Sequence, residues 1–194
     1  MLRKIFWPRL FGQCGSGVMF GANMILRHPG RIRIGSNVVF SEGVLLDARS
    51  PTEKIAIKIG NDVILANNTM VSCKEGTVTI GNRTGIGAYT IIQSVQHCPV
   101  FIGEDAILGP RCYLVGGGNY HTDRSDIPIA QQGMRPSNGC SIGNGVWLGA
   151  NVSALDGAHL GEGSIAAAGA VVVKPVAARE IVAGVPARTI SQRD

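Results

Sequence analysis

The side chains of this chain best suited to chemistry are four histidines and five cysteines, and their settings differ. His121 lies in Gly116-Gly-Gly-Asn-Tyr-His121-Thr-Asp123, seven residues after Leu114, in the one long stretch without a regular pattern. An imidazole titrates near neutral pH, so one held in a loop can take a proton from a weak nucleophile such as a hydroxyl. Asp123 and Asp126 are near it in sequence, but a short separation in a loop does not establish contact, so neither is assigned as its partner. His97, near Pro99, and His28, before Pro29, sit at turns, and His159 lies between inward Ala158 and Leu160 and so points outward. No CxxC pair and no short histidine pair is present, so no metal is expected. An odd number of cysteines without metal spacing fits reduced thiols and a cytoplasmic location.

The elements that must position these groups follow from a six-residue period. Apolar or small residues recur at Cys14, Phe20 and Leu26, then Ile34, Phe40 and Leu46, then Ile59, Leu65 and Val71. The series runs on through Ile80, Ile86 and Ile92, then Ile102, Leu108 and Leu114, then Ile142, Leu148 and Ala154, then Leu160, Ala166 and Val172. Two positions earlier sits a small or β-branched residue, as at Val38, Thr69, Thr84, Ala106, Cys112 and Val146. Residues two apart share one face of a strand, so each hexad is a short strand with two inward side chains. Such a period predicts a parallel β-helix whose coils have three sides.

Within each set of three the step is six residues, whereas between sets it is 8, 13, 9, 10, 28 and 6. All insertions therefore fall at the third corner of a triangular prism, and the 28-residue step holds the long loop 116–139. The first strand of a coil is followed by Gly35, Gly60, Gly81, Gly103, Gly143 or Gly161, where a tight turn favours a residue without Cβ. The expectation is a single domain over 1–194, with an N-terminal cap at 1–13 and a C-terminal tail at 175–194.

Composition excludes several classes. The longest apolar run, Ile165 to Val173, is too short to span a bilayer, and the N-terminal stretch lacks a cleavage site of the secretory kind. The net charge of +5 is spread out, without basic runs interleaved with aromatics, so nucleic acid is not expected as a partner. Residues 2–11 combine Arg3, Lys4 and Arg9 with Phe6, Trp7 and Phe11, which suits an end cap or a weak membrane-surface contact.

The stretch Ile142-Gly-Asn-Gly-Val-Trp-Leu-Gly-Ala-Asn-Val152 resembles the signature of the hexapeptide-repeat acetyltransferases. The segments Ala167-Ala-Gly-Ala-Val-Val-Val-Lys174 and Ala183-Gly-Val-Pro-Ala-Arg188 are similar to that family too. The likeness covers about Gly30 to Ile190 and is nearest to the branch of maltose, galactoside, nodulation-factor and polysaccharide O-acetyltransferases. It implies an all-β fold, a left-handed parallel β-helix of about seven triangular coils, a handedness opposite to that of ordinary crossovers. It also implies acetyl-CoA as co-substrate and a homotrimer with its sites in clefts between subunits.

On that resemblance His121 matches the general base, and transfer is direct, without an acyl-enzyme. Trp147, which alternation already turns outward, matches a tryptophan bordering the cleft. Gly149, Ala150, Ala167 and Ala168 match positions along the pantetheine arm, and Lys174 and Arg188 match cations near the coenzyme A phosphates. After Lys174-Pro-Val176 the run Ala177-Ala-Arg179 departs from the family's proline-rich segment. The implied activity is O-acetyl transfer to a sugar or polysaccharide hydroxyl. The alternatives are N-acetyl transfer to an amino-sugar nucleotide or antibiotic, or a non-catalytic β-helix scaffold, which would leave the His121 loop unexplained.

Overall fold

The computed structural model describes residues 6–194. Its strands form three sheets of seven, nine and seven members, and successive coils pair in parallel, giving a left-handed β-helix of about seven turns. The first face stacks strands from Gln13–Cys14 to His159–Leu160, the second from Met19–Phe20 to Ile165–Ala166, and the third from Ile25–Arg27 to Val171–Val172. Equivalent positions meet coil upon coil: Ile80 opposes Ile102, Ile86 opposes Leu108 and Ile92 opposes Leu114. All six are at most 2% exposed, as are the second inward positions Val38, Thr69, Thr84, Ala106, Cys112 and Val146. Burial of each large aliphatic side chain stabilises the stack by about 1.5–3 kcal/mol.

The first corner differs in detail from the expectation. Its glycines keep ordinary φ, and the left-handed backbone falls two residues later, at Asn37, Asp62, Arg83 and Asp105, with φ of 55–58°. Gly103 is required instead by close approach, since a Cβ there would stand 2.4 Å from the Asn144 Oδ1 and 2.7 Å from its backbone nitrogen. Asparagines bind this corner to the coil before it. Asn61 Oδ1 accepts from the Ser36 N–H at 2.8 Å, and Asn82 Oδ1 accepts from the Asn61 N–H at 2.8 Å.

At the N-terminal end a 3-10 turn, Trp7–Leu10, leads into Phe11, whose ring stacks on Phe20 at 5.8 Å, and Phe20 stacks in turn on Phe40. Trp7 tilts onto Phe20 at 5.4 Å. Phe6, expected to share in capping, is 55% exposed. Of the cap at 1–13 and the surface segment 2–11, residues 1–5 lie outside the described residues.

The stretch 175–194 is more than a tail. Glu180–Ala183 joins Ile165–Ala166 in parallel, and Arg188–Gln192 returns antiparallel, so the hairpin extends the second face. Among the described residues no helix is long and apolar enough to cross a membrane.

Adjacent residues of the strand Ile57–Ile59 point to opposite sides and so test the architecture. Ile57→Ala should cost about 2–5 kcal/mol in chemical denaturation, because its cavity lies between stacked coils. Lys58→Ala, on the outer side, should stay within about 0.5 kcal/mol. Equal costs would contradict the burial pattern.

Candidate functional site

The third-face strand Tyr113–Gly116 runs one residue pair past its hexad, pairing Val115 with Gln93 and Gly116 with Ser94, and then releases the loop 116–139. A single carboxylate on the following coil ties down both ends of that loop. Asp156, 9% exposed, accepts the Gly117 N–H at 2.7 Å and the Ser137 hydroxyl at 2.6 Å on Oδ1, and the Asn119 amide at 2.6 Å on Oδ2. No motif marks Asp156. The one signal in the sequence is a carboxylate amid the small and apolar residues of Leu155-Asp156-Gly157-Ala158, at the corner from which the loop departs.

Inside the loop two segments run against each other. Tyr120 bridges Met134, the His121 N–H donates to the Gly133 carbonyl at 3.0 Å, and the Arg135 N–H donates to the Asn119 carbonyl at 2.7 Å. His121 therefore stands on a short ribbon rather than a free strand of loop, and its side chain is 39% exposed. Its Nδ1 lies 3.6 Å from Asp123 Oδ2, while Arg135 pairs with Asp123 Oδ1 at 2.7 Å. Partial desolvation pushes the Asp123 carboxyl up. The hydrogen bond and charge of Arg135, with the charge of His121, outweigh that and hold it below the usual carboxylate range. Asp126 is taken by Arg124 instead, and Nε2 of His121 has no hydrogen-bond partner among the described residues. Asp123 is thus the aspartate set beside the imidazole.

The other histidines stand apart from it. His159 is on the first face with its Nδ1 2.7 Å from the Ser141 hydroxyl. His97 follows Gln96 in a turn where both residues have positive φ, 62° and 49°, and His28 is likewise left-handed at 54°. The cysteines are unsuited to nucleophilic work: burial pushes the Cys73 and Cys140 thiols up to about 12, and all five are free. Among the described residues no group of three or more His, Cys, Asp or Glu is placed to hold a metal.

Beneath the loop a groove of about 370 Å³ is floored by Gln93, Tyr113 and Val115 and walled by Gln96, Tyr120 and Met134. His121, the residue after Tyr120, does not itself line this groove. A second groove, of about 280 Å³, lies between the last coil and the C-terminal hairpin, where Lys174 and Arg188 come together beside Glu180 and Thr189. The Glu180 carboxylate is already engaged by the Ala177 N–H at 2.8 Å and the Thr189 hydroxyl at 3.2 Å.

The small residues occupy the second corner, Gly149 and Ala150 on one coil and Ala167 and Ala168 on the next. A Cβ on Gly149 would come within 2.6 Å of the Ala168 nitrogen. The N–H groups of Ala150 and Ala168 donate to no protein acceptor among the described residues. A corner without bulk, two amide donors and a groove with two cations fit the arm and phosphates of coenzyme A.

Trp147 is placed differently from His121. It sits on the second face, 52% exposed, in register between Ile107 and Ile165. The loop leaves the third corner, which in a triangular prism lies opposite the second face. One chain therefore sets His121 and Trp147 on opposite sides.

Comparisons with known proteins bear on these features. A family profile described as the hexapeptide repeat of succinyl-transferase matches residues 139–174. The chain is 31% identical over 122 residues to the "Probable macrolide acetyltransferase" of Lysinibacillus sphaericus, covering 52% of this chain and 67% of that protein. It is 26% identical over 172 residues to the "Putative lipopolysaccharide biosynthesis O-acetyl transferase WbbJ" of Escherichia coli, covering 86% of this chain and 74% of that one. Another curated relative aligns with 84% of this chain, yet the chain spans only 55% of that protein's length. Among solved structures, the N-acyltransferase AntD from Bacillus cereus, in complex with dTDP and 3-hydroxybutyryl-CoA, aligns with a TM-score of 0.64. The identity is 21%, with 97% of this chain and 86% of that one covered, a likeness of fold.

Asp156→Ala should loosen the loop while leaving the coils intact, because it strands two donors at the start of the loop and one at its end. Each hydrogen bond to a charged group is worth about 1.5–3 kcal/mol. Amide hydrogen exchange across 117–137 should therefore quicken at least ten-fold, with protection of the strands around Ile92 and Leu114 unchanged. Unaltered exchange in the loop would show that Asp156 does not hold it.

Proposed function

Because this chain belongs to the hexapeptide-repeat acyltransferase family, we propose that it transfers acetyl from acetyl-CoA to a hydroxyl of a sugar or polysaccharide precursor, with His121 as general base. The observation that carries this reading is the His121 imidazole itself. It is fixed on a ribbon, has an ionised Asp123 beside Nδ1 and an unpartnered Nε2, and directly follows Tyr120, which walls a groove floored by Tyr113 and Gln93.

In the proposed reaction the acceptor hydroxyl loses its proton to Nε2 as its oxygen attacks the thioester carbonyl. The C–S bond then breaks and the imidazolium returns the proton to the departing thiolate. The acetyl group moves directly to the acceptor, so no covalent enzyme intermediate forms. Asp123, anchored by Arg135, stands 3.6 Å from Nδ1, the ring nitrogen that takes no part in the two proton transfers. The amides of Ala150 and Ala168 accommodate the pantetheine arm, and Lys174 and Arg188 meet phosphate.

The groove's charge favours a neutral glycosyl acceptor over a sugar nucleotide. Its two charged lining residues, Lys74 and Glu75, are of opposite sign, whereas a diphosphate calls for clustered cations. Amide side chains of Gln93 and Gln96 can both donate to and accept from ring hydroxyls, and a tyrosine offers a flat apolar body to the sugar's carbon face. N-acetyl transfer to an amino-sugar nucleotide remains the second reading, supported by the shared fold with AntD.

The proposed assembly is a homotrimer. On the second face Ile107 and Trp147 are stacked neighbours, 60% and 52% accessible, with Ile64, 52% accessible, in the same row beyond Gly85, an apolar strip that a neighbouring subunit would cover. With His121 and Trp147 on opposite sides of one prism, each site would combine His121 of one subunit with Trp147 of the next.

His121→Ala should lower turnover by about 100- to 10,000-fold, the usual worth of general-base assistance, with the KM for acetyl-CoA unchanged. His97→Ala and His159→Ala should stay within a few-fold of the parent. Release of free coenzyme A thiol, measured with a panel of saccharides, provides the readout. Near-parental turnover of the His121 variant on a verified acceptor would place the base elsewhere.

A further inference from the structure

The N-terminal part of the chain carries more positive charge than the rest. Residues 1–60 contain nine Lys and Arg against three Asp and Glu, whereas 61–194 contain nine against ten. Most of the chain's positive character therefore belongs to the N-terminal segment, the first two coils and the strand Ile57–Ile59 that opens the third. Of the three acids there, Asp47 is buried and engaged by Arg27 at 3.0 Å and Arg49 at 2.8 Å. Arg33 and Lys58 are exposed and in register as neighbours on the first face. Arg9 is exposed on the end turn, and the Pro29–Arg31 turn is hydrogen-bonded to Gly12 beside it.

Apolar side chains are exposed at this same end. Phe6 and Leu10 of the end turn are 55% and 50% accessible, and Ile25, on the third face of the first coil, is 48% accessible. Phe11 caps the core, so these three are not needed to close it.

We infer that this end of the prism is a docking surface for an anionic lipid bilayer. Aliphatic and aromatic side chains gain free energy by entering the boundary between headgroups and acyl chains, and cations beside them gain from lipid phosphate. Neither contribution is large alone, and together they give a reversible peripheral attachment. A second copy of the chain is a poorer occupant, because two such ends would bring like charges together. A nucleic acid would use the cations and leave Phe6, Leu10 and Ile25 exposed, since its affinity comes mainly from phosphate neutralisation.

The experiment uses the full chain and sedimentation with two kinds of vesicle, phosphatidylcholine alone and phosphatidylcholine mixed with phosphatidylglycerol. Binding should be at least about ten-fold tighter to the mixed vesicles, and should weaken strongly between ~0.1 M and ~0.5 M salt. The double variants Phe6→Ser with Leu10→Ser and Arg33→Glu with Lys58→Glu should each weaken it about ten-fold or more, with thermal unfolding unchanged. If the apolar pair lowers stability, the charge pair, which lies wholly on the surface, decides alone. Equal partition into both vesicles, no association, or binding untouched by the charge pair would overturn the inference. Tighter binding to a duplex DNA probe than to the mixed vesicles would overturn it in favour of nucleic acid.

Discussion

Every coil of this molecule is held by its neighbours in one parallel register. A hexad alone supplies a two- or three-residue strand and two inward side chains, too little to persist in water. Stacked, the same hexad pairs its backbone with the coils on either side and buries its aliphatic residues against equivalents such as Ile86 on Leu108 and Ile92 on Leu114. Register then propagates, because a slip of one residue would turn every inward side chain outward. Gly103 shows how tight the constraint is, since the next coil passes where its Cβ would be. The prism is in effect a rigid ruler, and side chains at fixed offsets from the hexads acquire fixed places in space.

The chemistry is attached where the ruler permits extra chain. Insertions at the third corner leave the stacked register undisturbed, so a loop of any length can be carried there. Such a loop must still be held, and here a carboxylate from the coil above does so. Asp156 joins Gly117 and Asn119 at one end to Ser137 at the other, converting 116–139 into a closed unit. His121 gains a defined position from the ribbon contact to Gly133 and a defined electrostatic partner from Asp123, itself held by Arg135. The chain from hexad to corner to carboxylate to ribbon is what gives the imidazole its fixed place in the loop.

Much of this was legible in the sequence, and the part that was not has a common cause. The coils, the inward slots, the outward Trp147 and the loop with His121 all follow from short-range periodicity. Asp156 was not legible because its partners lie 19 to 39 residues away and no local pattern joins them. The choice of Asp123 over Asp126 likewise depends on which arginine reaches each, Arg135 across the ribbon or Arg124 next door. The C-terminal hairpin escaped the reading of 175–194 as a tail because the step from Val172 to Val176 is four residues rather than six, after which Val176 and Val182 resume the hexad opposite Leu160 and Ala166. The first-corner glycines were placed correctly and explained incompletely, for clearance to the next coil is a property of the stack and not of one turn.

The assembly we propose joins His121 of one subunit to Trp147 of the next, and with it to that next subunit's donor residues. Mixed trimers provide the most direct test. A His121→Ala subunit and a Lys174→Ala, Arg188→Ala subunit, each inactive at limiting acetyl-CoA, would be co-expressed and the assembled protein assayed for acetyl transfer to saccharides. If sites lie between subunits, random mixing restores roughly a quarter of the parental activity, because some interfaces pair an intact His121 with an intact donor groove. If the mixed protein stays as inactive as its two components, the two halves of the site belong to one chain and the inter-subunit account is wrong.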